Sequence, residues 1–254
     1  MTTNNYWTFG IHPSGNFLSS FNRIPENYSI REDSNAMPLN FLLSSIHFDN
    51  KENPKEVYAI ATFIVALING YIKLINIDPE EHTFVWLGNL YKNGKKVQEK
   101  YKHEIDLLNI DVFFNKKSKS NDFINQAFNK GLIRNILLYS NADWNLVNMY
   151  KIKEEINTFL QQKEDNISNY LNAEDSSAFG ATANNYSVSG LNSRHGKKST
   201  NKKAKKEPKR IMTIEESSIF IRDLIKKVMD KYFGFNLRFT PNQNNDLDLT
   251  LIDF

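Results

Sequence analysis

Asn53-Pro54-Lys55-Glu56-Val57-Tyr58-Ala59-Ile60-Ala61-Thr62-Phe63-Ile64-Val65-Ala66-Leu67-Ile68-Asn69-Gly70 is the stretch on which the fold class turns. Asparagine is a strong helix N-cap, and proline suits the first helical position, where its missing N–H is not needed. Val57, Ile60, Ala61, Ile64, Leu67 and Ile68 recur at helical spacing, and Asn69-Gly70 reads as the stop. Its apolar core, residues 57–68, is shorter than the roughly 20 residues of a membrane span. It therefore predicts a buried helix in a soluble chain.

Extended runs flank this helix. Tyr6, Trp7, Phe9 and Ile11 form an aromatic-rich run, followed by a turn at Pro13-Ser14-Gly15-Asn16 and a returning strand over residues 17–24. Residues 39–48 are a third extended run. After the helix, residues 71–77 and 83–91 read as strands divided by Asp78-Pro79, with a turn at Asn93-Gly94. Residues 97–114 begin with helical spacing and end with the alternation Ile110, Val112, Phe114; the second part leans towards a strand. The polar run 115–121 reads as a boundary.

Beyond it the periodicity is helical. Phe123, Ile124, Ala127 and Phe128 lead to a break at Gly131, and residues 132–139 make a second short helix. Asp143 is placed to cap a longer one, with Leu146, Val147, Tyr150, Ile152, Ile156, Phe159 and Leu160 as its apolar stripe. Residues 171–208 are rich in Ser, Asn, Gly and Lys and read as a long loop. Thr213 and Glu216 have capping-box spacing. Ile214, Ile221, Leu224, Ile225, Val228, Met229 and Tyr232 supply the core face of the last helix, and Gly234 its stop. Residues 235–254 read as a hairpin, Leu237 and Phe239 facing Leu249 and Leu251. The expectation is an α+β fold: an N-terminal mixed, β-rich region over residues 1–116, packed with a C-terminal helical bundle over residues 122–254. The bundle carries a basic loop at 172–210 and a C-terminal extension.

Composition narrows the chemistry. With 40% hydrophobic residues, 18 Phe and 11 Tyr, the chain can bury a core, which excludes disorder throughout. The absence of cysteine excludes disulfides, thiolate zinc sites and a cysteine nucleophile. The five histidines are scattered without HxH or HExxH spacing, so neither a metal nor another cofactor is expected. No phosphate-cradling glycine loop and no GxSxG elbow is present. The acid pairs Glu154-Glu155, Glu164-Asp165 and Glu215-Glu216 read as solvated helix faces and caps. The N-terminus lacks the basic-then-apolar order of a signal peptide, which points to the cytoplasm.

Charge is uneven. The net value is +3, yet residues 194–210 hold nine Lys or Arg and a single acid, Glu207, so the rest is acidic on balance. Lys197, Lys198, Lys202, Lys203, Lys205, Lys206, Lys209 and Arg210 suit electrostatic capture of a phosphate backbone, with RNA the favoured partner. A solvated loop, or a nuclear-import tag in a eukaryotic host, fits the same residues. Just before this run stands Asn184-Asn185-Tyr186-Ser187-Val188-Ser189-Gly190-Leu191-Asn192-Ser193-Arg194-His195-Gly196. His195 can transfer protons near neutral pH, and Arg194 can hold a phosphate in bidentate fashion. Together they are the candidate catalytic pair for metal-free RNA cleavage through the ribose 2′-OH. The other reading is that both tie the loop to the bundle by hydrogen bonds.

Trp144, Leu146, Tyr150, Lys151, Ile152 and Glu154 share one helix. The Ser193-Arg194-His195-Gly196 run follows, and Met212-Thr213-Ile214-Glu215-Glu216 opens a terminal helix that includes Ile221 and Ile225. On these residues, 122–234 resembles a bacterial HEPN-type helical domain, a group found in toxin–antitoxin and antiviral defence systems. Active members resemble one another in an Arg, a following polar residue, and a His four to six positions after the Arg. Here Arg194 and His195 are adjacent, and no His follows Arg134-Asn135 within reach. The resemblance thus implies either a metal-independent RNase or an inactive relative. The other class left open is a non-enzymatic interaction or scaffold subunit, pairing with itself as a homo-oligomer or with a protein partner, and with no membrane role.

Overall fold

The computed structural model describes residues 6–13, 28–33, 40–49, 51–75, 84–97, 122–184 and 210–239. Among these, residues 6–137 form one compact unit and residues 138–239 another. The fold is α+β, as expected.

The first unit is built on an antiparallel sheet. β1 (Trp7–Pro13), β2 (Tyr28–Asp33), β3 (Asn40–Ser45), β4 (Val85–Lys92) and the two-residue β5 (Lys95–Lys96) lie in the order β2-β3-β1-β4-β5. Trp7, Phe9 and Ile11 alternate along β1 and are all buried, so one face of the sheet carries the core. β4 and β5 are joined at Asn93-Gly94, where both residues have positive φ, 51° and 76°. Such a pair matches the twist of a tight hairpin. The turn was therefore readable from its two residues.

α1 (Pro54–Ile75) lies against that core face. Asn53 Oδ1 accepts from the Lys55 N–H at 3.0 Å, and Phe9 meets Tyr58 edge-on with centroids 5.8 Å apart. Here the structure corrects the sequence reading. The helix does not stop at Asn69-Gly70, and residues 71–75 are helical rather than the start of a strand. Both supposed stop residues have tertiary work. A Cβ on Gly70 would sit 1.9 Å from the Leu137 carbonyl oxygen, so glycine is required for close backbone approach. Asn69 donates to the Val85 carbonyl and accepts from the Val85 N–H, both at 2.8 Å, joining helix to strand. Tyr71, Ile72, Leu74 and Ile75 are all buried, and that burial favours the extra turn.

At 22 residues α1 has the length and composition of a membrane span, but 72% of its apolar window is buried inside the protein, as in a core helix. β3 and the 3-10 turn Ile46–Phe48 occupy the third extended run. β2 had no counterpart in the sequence reading, and the expected strand 17–24 lies outside the described residues, as do 98–121.

α2 (Phe123–Asn129) is capped by Asp122, whose Oδ1 accepts from Ile124 N at 2.9 Å and Asn125 N at 3.2 Å. Burial nevertheless raises the Asp122 pKa. The same burial, reinforced by Asp122's charge, raises that of Tyr71. α3 (Gly131–Ala142) follows the Gly131 break.

The second unit contains α4 (Leu146–Gln162), the 3-10 turn Ile167–Asn169, α5 (Ala173–Asn184) and α6 (Ile214–Phe233). Met149, Ile152, Ile156 and Leu160 of α4 are buried, as are Ile221, Leu224, Ile225, Val228 and Met229 of α6. Two local expectations change. The N-cap of α4 is Asn145, which accepts from Asn148 N at 2.9 Å, while Asp143 offers its carbonyl to Asn148 Nδ2. More important, residues 173–184 of the expected loop form α5. Phe179 at its middle is fully buried and stacks on Tyr150 at 6.1 Å. On α6 the capping box is complete and Gly234 closes the helix at φ 71°. Ile214, expected in the core, is instead 48% exposed. Beyond Gly234 the chain is irregular to Phe239, with Leu237 buried, and the facing half of the expected hairpin lies outside the described residues.

Candidate nucleic-acid interface

Arg194, His195, Lys197, Lys198, Lys202, Lys203, Lys205, Lys206 and Lys209 lie outside the described residues. What the structure describes is the frame from which that segment departs and to which it returns. Asn172 opens the frame by accepting from Glu174 N at 2.8 Å at the start of α5. At its end, Asn184 Nδ2 donates to the Gly180 carbonyl at 2.9 Å.

The chain comes back alongside the same helix. Met212 N donates to Thr182 Oγ1 at 2.8 Å, and that hydroxyl donates to the Ala178 carbonyl at 2.9 Å. Thr182 and Met212 are both buried, so this contact is shielded from water. The capping box of Thr213 and Glu216 then starts α6 immediately. Residues 183–211 thus begin and end at one hydrogen-bonded point.

Arg210 is the one member of the expected cationic set among the described residues. Its guanidinium donates to Asp175 and pairs with Glu216 at 3.5 Å. Hydrogen bonding to Asp175 holds its pKa above the ordinary arginine value. In this arrangement Arg210 fastens the returning chain to the heads of α5 and α6.

Two polar clusters in this unit escaped the sequence reading. Arg222 sits on α6 only 4% exposed, its guanidinium carbon 4.5 Å from the centre of the Trp144 ring. Ser218, one turn earlier, accepts from Trp144 Nε1 at 2.5 Å and also from Arg222. Burial pulls the Arg222 pKa down to about 10. The only signal was spacing: Ser218, Ile221, Arg222 and Ile225 share a helix face. A charged residue on an apolar face is a tie that needs partners. Trp144 belongs to the HEPN-type resemblance, and here it anchors the start of α4 to α6.

The second cluster centres on Asp165. Its carboxylate accepts from Tyr170, from Tyr232 at 2.5 Å, from Lys231 at 3.0 Å, from Asn169 at 2.8 Å and from the Asn166 N–H at 2.8 Å. These bonds, that from Tyr170 foremost, hold it well below the usual carboxylate range. So many donors make it a weak base; it locks the turn after α4 onto the end of α6.

The other acid pairs behave as expected of caps and faces. Glu216 closes the capping box, and Glu154 is exposed. Of the histidines, His12 and His47 are described; His47 is buried and stacks on Phe128 at 5.0 Å. Among the described residues no three His, Asp or Glu side chains converge as metal ligands. Comparison with protein-family models, with curated proteins and with solved structures finds no match to this chain.

Proposed function

We propose that this chain is a nucleic-acid-associated protein, with RNA the favoured partner and the cationic segment ending near Arg210 as its contact. The supporting observation is where the positive charge sits relative to the fold. Residues 185–209 carry eight Lys or Arg against one acid, whereas the rest of the second unit has eleven acids against nine Lys or Arg. The chain that returns from that segment is fastened to α5 at Met212 and to the head of α6 at Arg210. A dense cationic stretch held on an acidic helical unit suits a polyanion, which it meets by displacing counterions. Within this reading, Arg194 and His195 are the pair to test for HEPN-like, metal-independent cleavage in a defence or stress response. An inactive relative would keep the binding alone.

The test is binding of RNA at two salt concentrations, about 50 and 200 mM. Replacing Lys202, Lys203, Lys205 and Lys206 by Ala should weaken binding at both and lower the log–log salt slope by up to about 3 for a single strand. If cleavage accompanies binding, His195→Ala should remove it without moving the thermal midpoint. Salt-independent binding, or none, overturns the reading.

One observation favours the other class, a non-enzymatic scaffold subunit. Arg210 is engaged by Asp175 and Glu216 within its own chain. Oligomers by light scattering, together with lysine variants that leave them unchanged, would support it.

A further inference from the structure

Arg210 stands where the cationic run rejoins the fold, held by acids from two helices. Asp175 is the third residue of α5 and Glu216 the third of α6. The Arg210 guanidinium donates to the Asp175 carboxylate, and its other terminal nitrogen lies 3.5 Å from Glu216 Oε1. The first turns of both helices therefore meet at this one side chain. Unbonded peptide N–H groups make a helix start electropositive, which favours an anion there and disfavours a cation. The two carboxylates are what hold a guanidinium in such a place.

The fold does not need this contact to close. Two residues on, the buried bond from Met212 N to Thr182 Oγ1 already fastens the returning chain to α5. Glu216 keeps its own duty in the capping box through Oε2, which accepts from Thr213 N at 2.8 Å and is not the oxygen facing Arg210. The three side chains are also open to water: 42% exposed for Arg210, 36% for Asp175 and 46% for Glu216. Ion pairs this exposed are individually weak and screened by salt. A phosphate diester offers a guanidinium the same two-oxygen acceptor as a carboxylate, so the partners can be exchanged.

We infer that Asp175 and Glu216 form an autoinhibitory clasp, which occupies Arg210 in the free chain and yields it to a phosphate of bound RNA. The inference deepens the proposed function, on which it rests, by adding regulation of the same contact. Lys205, Lys206 and Lys209 precede Arg210 in sequence. A polyanion drawn to them brings further phosphates to Arg210 at high effective concentration, whereas a free monophosphate has to displace two tethered carboxylates from bulk solution. The clasp thus selects for length of anion rather than for phosphate as such.

The experiment measures the full chain against oligouridine of about twelve nucleotides, within the usual site sizes of single-strand binders, at about 50 and 200 mM salt. Asp175→Asn with Glu216→Gln neutralises the clasp, and the glutamine oxygen can still accept from Thr213 N. At the lower salt this double variant should bind roughly two- to thirtyfold more tightly, the fold-change for releasing two exposed ion pairs. Its log–log salt slope should steepen by about 0.7, one more phosphate contact on a single strand. Arg210→Gln should then weaken the double variant by several times the factor by which it weakens wild type. Equal factors, within about twofold, would mean that the acids act only by general repulsion, and they overturn the inference. An unchanged slope in the double variant overturns it as well; if the four lysine changes still weaken wild type, the cationic-segment reading stands. Thermal midpoints above the assay temperature show that every variant compared is folded. Binding by none of them overturns both.

Discussion

α1 and α6 are of similar length, 22 and 20 residues, yet they are specified in different ways. α6 carries its own boundaries. A reciprocal capping box fixes its start, a left-handed glycine its end, and a stripe of Ile, Leu, Val and Met its buried face. α1 begins with an equally local signal at Asn53-Pro54, but its end is set by contacts distant in sequence, at Leu137 and Val85. A helix bounded by its own side chains can be read from a single sequence; one bounded by its neighbours cannot.

Leu224→Ala should produce the largest loss on the α6 side of this contrast, about 2–5 kcal/mol, since Leu224 is fully buried. Chemical denaturation of the full chain measures it. Gly70→Ala tests the α1 side by sign. In an ordinary helix the change stabilises by up to about 1 kcal/mol. Here the new methyl meets the Leu137 backbone, so a loss of about 1–3 kcal/mol is expected, as for overpacking. A stabilised Gly70→Ala would restore the glycine as a simple stop. Thr213→Ala removes one half of the capping box and should cost about 1 kcal/mol, roughly 2–4 °C in midpoint for a chain of this size.

Asp165→Asn gives an effect of pH. Its carboxylate pKa is depressed in the folded state, so its contribution is present above the unfolded value of about 3.9 and fades as pH falls. The midpoint difference between wild type and Asp165→Asn should therefore be largest and constant above about pH 5 and should begin to narrow as pH falls below about 4. A difference that does not narrow there would mean that the charge of Asp165 is not what holds Tyr170, Lys231 and Tyr232.

The same contrast explains what was legible elsewhere. Trp7, Phe9 and Ile11 announced β1 by alternation, and Asn93-Gly94 announced the β4–β5 hairpin by backbone preference. α5 was hidden because Ala, Ser, Gly and Thr give no apolar stripe; its helicity depends on Phe179 finding Tyr150 and Phe220 on neighbouring helices. Of the candidate site, only Arg210 falls among the described residues. The cation run was obvious in the sequence, but its pairing with Asp175, 35 residues away, was not.

The Thr182–Met212 bridge has a consequence for how this chain tolerates change in length. Both helices remain bounded at that point whatever number of residues is strung between them. Doubling the length of chain between two fixed ends adds only about 0.6 kcal/mol of closure cost. Insertions or deletions between residues 185 and 209 should accordingly cost this chain little stability, while the Thr182–Met212 contact still joins α5 to the start of α6.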